Sequence, residues 1–201
     1  IGYFGMWDNT MRTLSIITVA TLLSIALGIP IGIWMSRSDK VQGVVTAILD
    51  VMQTMPAFVY LVPGIMFFGL GNVPAVIATV LYSIPPCIRL TNLGIRQVDP
   101  SVVEAGRAFG SSRMQLLTKV QIPLALPNIM AGVNQTIMMS LAMVVIASLV
   151  SAPGLGVLVL RGIRSLELGV GLLSGLGIVL LAIILDRVTK AALARINAAQ
   201  K

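Results

Sequence analysis

Side chains suited to covalent or redox chemistry are scarce in this sequence. It contains no histidine and one cysteine, Cys87, so neither a zinc site nor a Ser–His or Cys–His nucleophile can be assembled. No GxxxxGK[ST] stretch occurs and no lysine follows a glycine; the phosphate-cradling loop of an ATPase is missing. What remains is a short set of polar groups set in apolar surroundings. Asp50 is the one acidic residue placed to enter hydrocarbon, where a centred charge costs about 2.5–3.5 kcal/mol. It can face a pathway and attract a cation, or, seven positions after Gly43, sit near the membrane interface. Gln53 and Thr54 lie one turn on, beside Met55-Pro56, where freed backbone carbonyls can help line a polar path. Asn134 and Gln135 form a second polar site, as pathway groups or as ties between helices. Arg161 and Arg164 stand one turn apart after the breakers Ser151-Ala152-Pro153-Gly154. They suit an outer gate, an acidic partner or lipid headgroups.

The elements that must position these groups are membrane spans. Hydrophobic residues make up 57% of the 201 residues and charged residues 10%, with a mean hydropathy of +0.97. A soluble domain carries about a quarter charged residues. Residues 13–36, 51–88, 120–160 and 168–185 carry no charge, stretches of 24, 38, 41 and 18 residues. A crossing needs roughly 20 apolar residues. The second stretch as one helix would reach about 57 Å, so it must turn, at Gly69-Leu70-Gly71-Asn72-Val73-Pro74. Residues 13–35 hold eleven Leu, Ile or Val, which together favour insertion by about 4 kcal/mol.

Five helices follow, near 13–35, 43–70, 74–96, 128–150 and 168–188, the second broken around Met55-Pro56. Residues 1–12 form an outer amino-terminal segment and 189–201 a cytoplasmic tail. The opening Ile-Gly-Tyr reads as the start of a fragment, and residues 1–11 do not resemble a signal peptide. The loops 36–42, 89–127 and 186–201 hold eleven Lys or Arg against three elsewhere. The basic set belongs in the cytoplasm, with the amino terminus outside. This asymmetry accounts for the net charge of +7 without nucleic acid. Gly28-Ile-Pro-Ile-Gly32 and Gly171-Leu-Leu-Ser-Gly175 are close-packing faces that a dimer can use. Trp34 anchors the cytoplasmic interface, and the other span aromatics, Phe58 among them, are dispersed rather than caged.

The long basic loop, 97–127, carries its own start and stop signals. Asp99-Pro100 opens a helix, aspartate capping free amides and proline costing nothing at the first position. The helix runs through Glu104, Ala105, Gly106 and Phe109 and stops at Gly110. Ser112 with Gln115 matches a capping box, and this second helix ends at Pro123. Two short helices around a glycine elbow make a compact knob suited to force transmission. Glu104 offers a carboxylate; Phe109 and Met114 offer apolar anchors. On physics alone, an interfacial loop whose arginines meet anionic lipid fits equally.

Glu104-Ala105-Gly106, then Gly110, then Val120-Gln121-Ile122-Pro123 resembles the EAA loop of binding-protein-dependent ABC transporter permeases. That pattern is Glu-Ala-Ala, three residues, Gly, nine residues, then Ile, any residue, Leu, Pro. Every spacing holds, with Gly106 in place of the third-position alanine. Asp50-Val-Met-Gln53-Thr54-Met-Pro56-Ala-Phe58, Gly69-Leu-Gly71-Asn72-Val-Pro74, Gly132-Val-Asn134-Gln135-Thr136 and Ala147-Ser-Leu-Val resemble the permeases of glycine betaine/proline betaine importers. The likeness covers about residues 10–190. It implies an all-α integral membrane protein with the five-helix core of a type I ABC importer permease. It also implies a second permease copy, two cytoplasmic ATPase subunits and an extracytoplasmic binding protein, in a bacterial inner membrane. ATP and Mg would then bind the partner ATPase, and this chain would hold no cofactor. The implied cargo is a quaternary ammonium compatible solute, for which Asp50 would be a cation-attracting group. Choline, carnitine or trimethylamine N-oxide are alternatives within that architecture. A carrier or channel independent of ATP is the alternative outside it, with Asp50 its sole candidate ion-coupling group.

Overall fold

A computed structural model describes the backbone of residues 6–150 and 153–198, with side chains over 6–148 and 153–191. Ser151 and Ala152, residues 1–5 of the amino-terminal segment, and the Arg195 and Lys201 side chains of the tail lie outside the described residues. Everything described is helix, turn or short connection. In hydrocarbon this follows from the need to satisfy each backbone amide and carbonyl within its own segment.

In chain order the helices are α1 (Trp7–Ser36), α2 (Asp39–Thr54), α3 (Leu61–Phe68), α4 (Asn72–Arg96), α5 (Pro100–Ala108), α6 (Arg113–Leu116), α7 (Ile122–Val150), α8 (Leu155–Arg164) and α9 (Leu168–Ala198). A tight 3-10 turn, Ala57–Tyr60, precedes α3, and a wide π turn, Leu117–Gln121, joins α6 to α7. Among the described residues, four helical stretches are long and apolar enough to cross a membrane, five if the broken pair counts as one. That pair, Asp39–Thr54 with Ala57–Phe68, is bent by 110°. The second crossing is therefore no straight helix. Met55 and Pro56 adopt extended ψ of 133° and 141°, as expected when Pro56 bars the helical region at its predecessor.

A departure from the expected boundaries concerns Pro123. The second loop helix does not end there: helix runs without interruption from Arg113 to Ser148. Proline disrupts a helix by lacking an amide and by crowding the preceding turn. Here that turn is widened, with the Ile122 amide reaching back to the Leu117 carbonyl, and the ring is accommodated.

Packing centres on α4, which lies against α1 on one side and α7 on the other. More than half of its most apolar window is buried, 56% against 17% for α9. Since lipid is as apolar as leucine, close approach drives such contacts, and small residues permit it. A Cβ on Gly32 would stand 2.6 Å from Cβ of Thr91 and 2.8 Å from the Ile88 carbonyl oxygen, both on α4. Gly28 meets Cys87 in the same way. The Gly28–Gly32 face is thus spent inside the chain and is unavailable to a second copy. Of the other small-residue face, Gly171 lies against Gly162 of α8, whereas Gly175 touches nothing. One buried hydroxyl pair, Ser24 with Ser83 at 3.0 Å, ties α1 to α4. Leu22, Leu23, Leu27 and Trp34 on α1, and Leu172, Leu176, Val179 and Leu180 on α9, are exposed. These are belts for lipid or a partner.

Candidate functional site: an exposed helical knob and a charged helix break

The knob is built by its own caps. The Asp99 carboxylate accepts the Ser101 amide at 2.8 Å, which holds that carboxyl below its ordinary range. Pro100 occupies the first turn of α5. Gly110, at φ +77°, supplies the left-handed turn that a side chain would strain. The capping box then forms in full: the Ser112 amide donates to Gln115 Oε1 at 2.8 Å and the Gln115 amide to Ser112 Oγ at 3.3 Å. Gly106 is where α5 leans on α6, since a Cβ there would come within 2.7 Å of Leu116 Cδ1. Glu104 and Ala105 face outward, and Phe109 and Met114 are 90% and 62% exposed. No acidic partner meets Arg107 or Arg113 among the described residues, nor does Glu104 form an ion pair. A cleft of about 680 Å³ separates the knob from the ends of α1 and α4, with Ser36, Arg37, Arg107, Arg113 and Gln121 on its walls.

Two ion pairs fasten α2 to α4. Arg96 donates to Asp39 at 2.7 Å, and also to Asn92 Oδ1 and the Met35 carbonyl. Deeper, Arg89 donates to Asp50 at 2.5 Å. Asp50 is therefore paired rather than a lone anion. Gln53 and Thr54 are exposed at the end of α2, and Thr54 Oγ1 turns back to the Val51 carbonyl. The break does not leave all its carbonyls free, because the buried Tyr60 hydroxyl donates to that of Met52. Phe58 is 54% exposed on the 3-10 turn. Asn134 and Gln135 lie elsewhere, on α7. Asn134 is half-buried with Oδ1 unpartnered, while Gln135 points to an exposed face.

At the far end of the bundle, α8 lies between α7 and α9 in sequence and packs on both. The Leu155 amide donates to Thr13 Oγ1 at 3.0 Å, pinning α8 to α1 across 142 positions. Arg161 and Arg164 are exposed and form no ion pair among the described residues.

The family profile described as binding-protein-dependent transport system inner membrane component matches residues 9–198. The chain belongs to that family. This permease is 54% identical over 191 residues to the glycine betaine/proline betaine transport system permease protein ProW of Escherichia coli, covering 95% of this chain and 54% of that protein. It is 52% identical over 190 residues to the glycine betaine transport system permease protein OpuAB of Bacillus subtilis, covering 94% and 67%. The chain thus spans about half the length of ProW. Among solved structures, the inward-facing MetNI methionine ABC transporter superposes with a TM-score of 0.84 at 21% identity, over 95% of this chain and 97% of that one. That likeness establishes the type I importer permease fold.

Within the permease, the structure collects Glu104, Ala105, Gly106, Phe109, Gly110 and Met114 on one knob, with Pro123 past its base in the first turn of α7. It collects Asp50, Gln53, Thr54 and Phe58 around one helix break. Asn134 and Gln135 are not part of that cluster, and Arg161 and Arg164 sit at the opposite end of α7 from the knob. Sequence reading placed Arg89 in the basic loop; it lies instead within α4. A signal existed: Asp39 and Asp50 are eleven residues apart, Arg89 and Arg96 seven, both same-face spacings for a helix. In antiparallel neighbours they pair end to end. Tyr60 and Thr13 gave no comparable signal.

Proposed function

We propose that this permease is the transmembrane subunit of an ATP-driven importer and forms the path for glycine betaine or proline betaine. The supporting observation is the knob: fully capped, exposed, bearing free Glu104 and Phe109, and continuous with the longest helix of the bundle. A 90%-exposed phenylalanine on a capped elbow offers a partner surface an apolar anchor. Its partner is a cytoplasmic ATPase that binds ATP and Mg; this chain supplies no catalytic group and holds no cofactor. Two permease copies, two ATPases and an extracytoplasmic binding protein make up the assembly, in a bacterial inner membrane. The knob faces the cytoplasm with the carboxyl terminus, and residues before α1 face outward, with Arg161 and Arg164 turned toward the binding protein. The betaine assignment draws on the relatives' cargo; choline, carnitine or trimethylamine N-oxide are the alternative solutes within the same architecture, and the binding protein makes the first selection among them.

Uptake of labelled glycine betaine by the co-purified assembly in vesicles tests this reading, with and without ATP, and with choline and proline in competition. Glu104→Arg and Gly110→Pro should abolish uptake while insertion and dimerisation survive. Uptake by the chain reconstituted without any ATPase would instead establish a self-sufficient carrier.

A further inference from the structure

The Asp50–Arg89 pair lies about two helical turns inward of the Asp39–Arg96 pair along α4. Asp39–Arg96, the companion pair, marks the basic end of the bundle. Seven residues separate Arg96 from Arg89 on the long apolar helix α4, so the second pair stands about 10 Å further in at 1.5 Å per residue. Half the hydrocarbon thickness is about 15 Å. Intramembrane charges face a bundle interior or a watery cavity rather than lipid. Yet in the single protomer the Asp50 side chain is 60% exposed and that of Arg89 34%.

The faces of α2 resolve this. Val44, Ile48 and Val51 form an exposed apolar stripe, suited to lipid or a partner helix. Asp39, Gly43, Thr46, Asp50 and Gln53 recur at helical spacing along a different, polar stripe, which suits water. The pair sits on that stripe, next to the break at Met55-Pro56. Irregular backbone at membrane depth is tolerated where it lines a cavity. The pair also retains unused valence. Among the described residues, Asp50 accepts from Arg89 Nη2 alone, and Arg89 Nε is buried without a partner. Seven residues along the same face of α4 stands Tyr82, its ring edge-to-face with Tyr60 at 5.8 Å. Aromatic faces attract quaternary ammonium.

Resting on the importer reading above, we infer that Asp50 and Arg89 form a binding station for a zwitterion within the path. A betaine carries a carboxylate and a quaternary ammonium in one net-neutral molecule. Its carboxylate takes the guanidinium of Arg89, including the idle Nε; its ammonium lies against Asp50 with Tyr82 beyond. The solute thus replaces one ion pair by two, and neither protein charge is left unpaired at any point. With the site empty, the two side chains neutralise each other. A lone cation such as choline would strand Arg89, and a lone carboxylate would strand Asp50. The station therefore selects for charge separation within a neutral molecule.

Vesicles holding the complete assembly, saturated with binding protein, give the test. Asp50→Asn, Arg89→Gln and the double variant are compared for betaine uptake, with Asp39→Asn/Arg96→Gln as the interfacial control. The station predicts that both single variants and the double variant fall at least tenfold below wild type, and that the control pair stays within about threefold. A structural clamp predicts recovery in the double variant, since no orphan charge remains; recovery to half of wild-type uptake overturns the inference. An equal loss in the control pair overturns it too. A second measurement needs no variant. The wild-type permease–ATPase complex in nanodiscs, without binding protein, should bind labelled glycine betaine saturably, displaced by excess proline betaine but not by equal choline or acetate. Absence of saturable binding, or equal displacement by choline, overturns the station. If wild-type vesicles themselves show no ATP-dependent uptake, it is the importer reading that fails.

Discussion

Replacing Phe109 by alanine separates folding from coupling. The ring is 90% exposed at the elbow between α5 and α6 and supports nothing within the chain. Its removal should leave stability within about 0.5 kcal/mol, as for surface sites without special roles. Docked in a groove of the ATPase, the same ring would be withdrawn from water almost entirely. Full burial of a phenylalanine side chain is worth about 1.5–3 kcal/mol, and each 1.4 kcal/mol is tenfold in affinity. Phe109→Ala should therefore weaken association with the ATPase roughly 10- to 150-fold. Titrating labelled ATPase onto the permease in nanodiscs measures this, with thermal unfolding of the permease as the folding control. Met114→Ala, at 62% exposure, should lose less, and Phe109→Tyr should retain most of the affinity. An unchanged ATPase affinity, with a loss instead in anionic-lipid association, would refute the docking argument and make the knob an interfacial loop.

Gly32→Ala places a methyl 2.6 Å from Cβ of Thr91 and should cost about 1–3 kcal/mol through overpacking, read as a lower melting temperature in detergent. Adding Thr91→Gly should restore only part, because the Ile88 carbonyl oxygen, at 2.8 Å, remains in the way. Thr13→Val leaves the buried Leu155 amide without its acceptor, a loss of about 1–3 kcal/mol; faster hydrogen exchange at Leu155 would register it, and unchanged exchange would exclude the pin. Asp99 accepts the Ser101 amide, and its carboxyl lies below the ordinary value of 3.8. A depressed folded value means the cap is in force above the ordinary value and is lost as pH falls through the lower one. Protection factors at Ser101 should hold from neutral pH to about 5 and fall only below about 4, a dependence that Asp99→Asn should erase.

Local chemistry was readable because it is local. Asp99-Pro100, Gly110 and Ser112 with Gln115 each act over no more than four residues, and each places a cap or turn where the structure has it. The break at Met55-Pro56 and the turn at Gly69–Pro74 were visible for the same reason. Three features were not. The 110° bend between α2 and the Ala57–Phe68 segment brings the Tyr60 hydroxyl back to the Met52 carbonyl, a contact no propensity encodes. The Thr13–Leu155 bond spans 142 positions and exists only once α1 and α8 meet. Proline at 123 carries a stop signal that a wide turn overrides, and the proline alone does not encode that turn. Asp50 shows a subtler limit: its depth was debatable in isolation and its partner, 39 positions away, was legible only by reading two helices as one set of spacings.

The wide turn at Leu117–Gln121 has a mechanical consequence. Because helix is unbroken from Arg113 to Ser148, a span of 36 residues, the end of the knob and the far side of the bundle are joined by one helix of about 54 Å contour length, with the π turn and Pro127 within it. Moving as one rigid rod about its base, such a helix would convert a tilt of about 10° into roughly 9 Å of travel at its other tip. Small strokes delivered at α6 would then arrive amplified beside α8, with no chain of side chains needed to carry them. Had Pro123 cut the rod, as its chemistry ordinarily does, the gearing would be lost; the extra residue in that one turn preserves the lever.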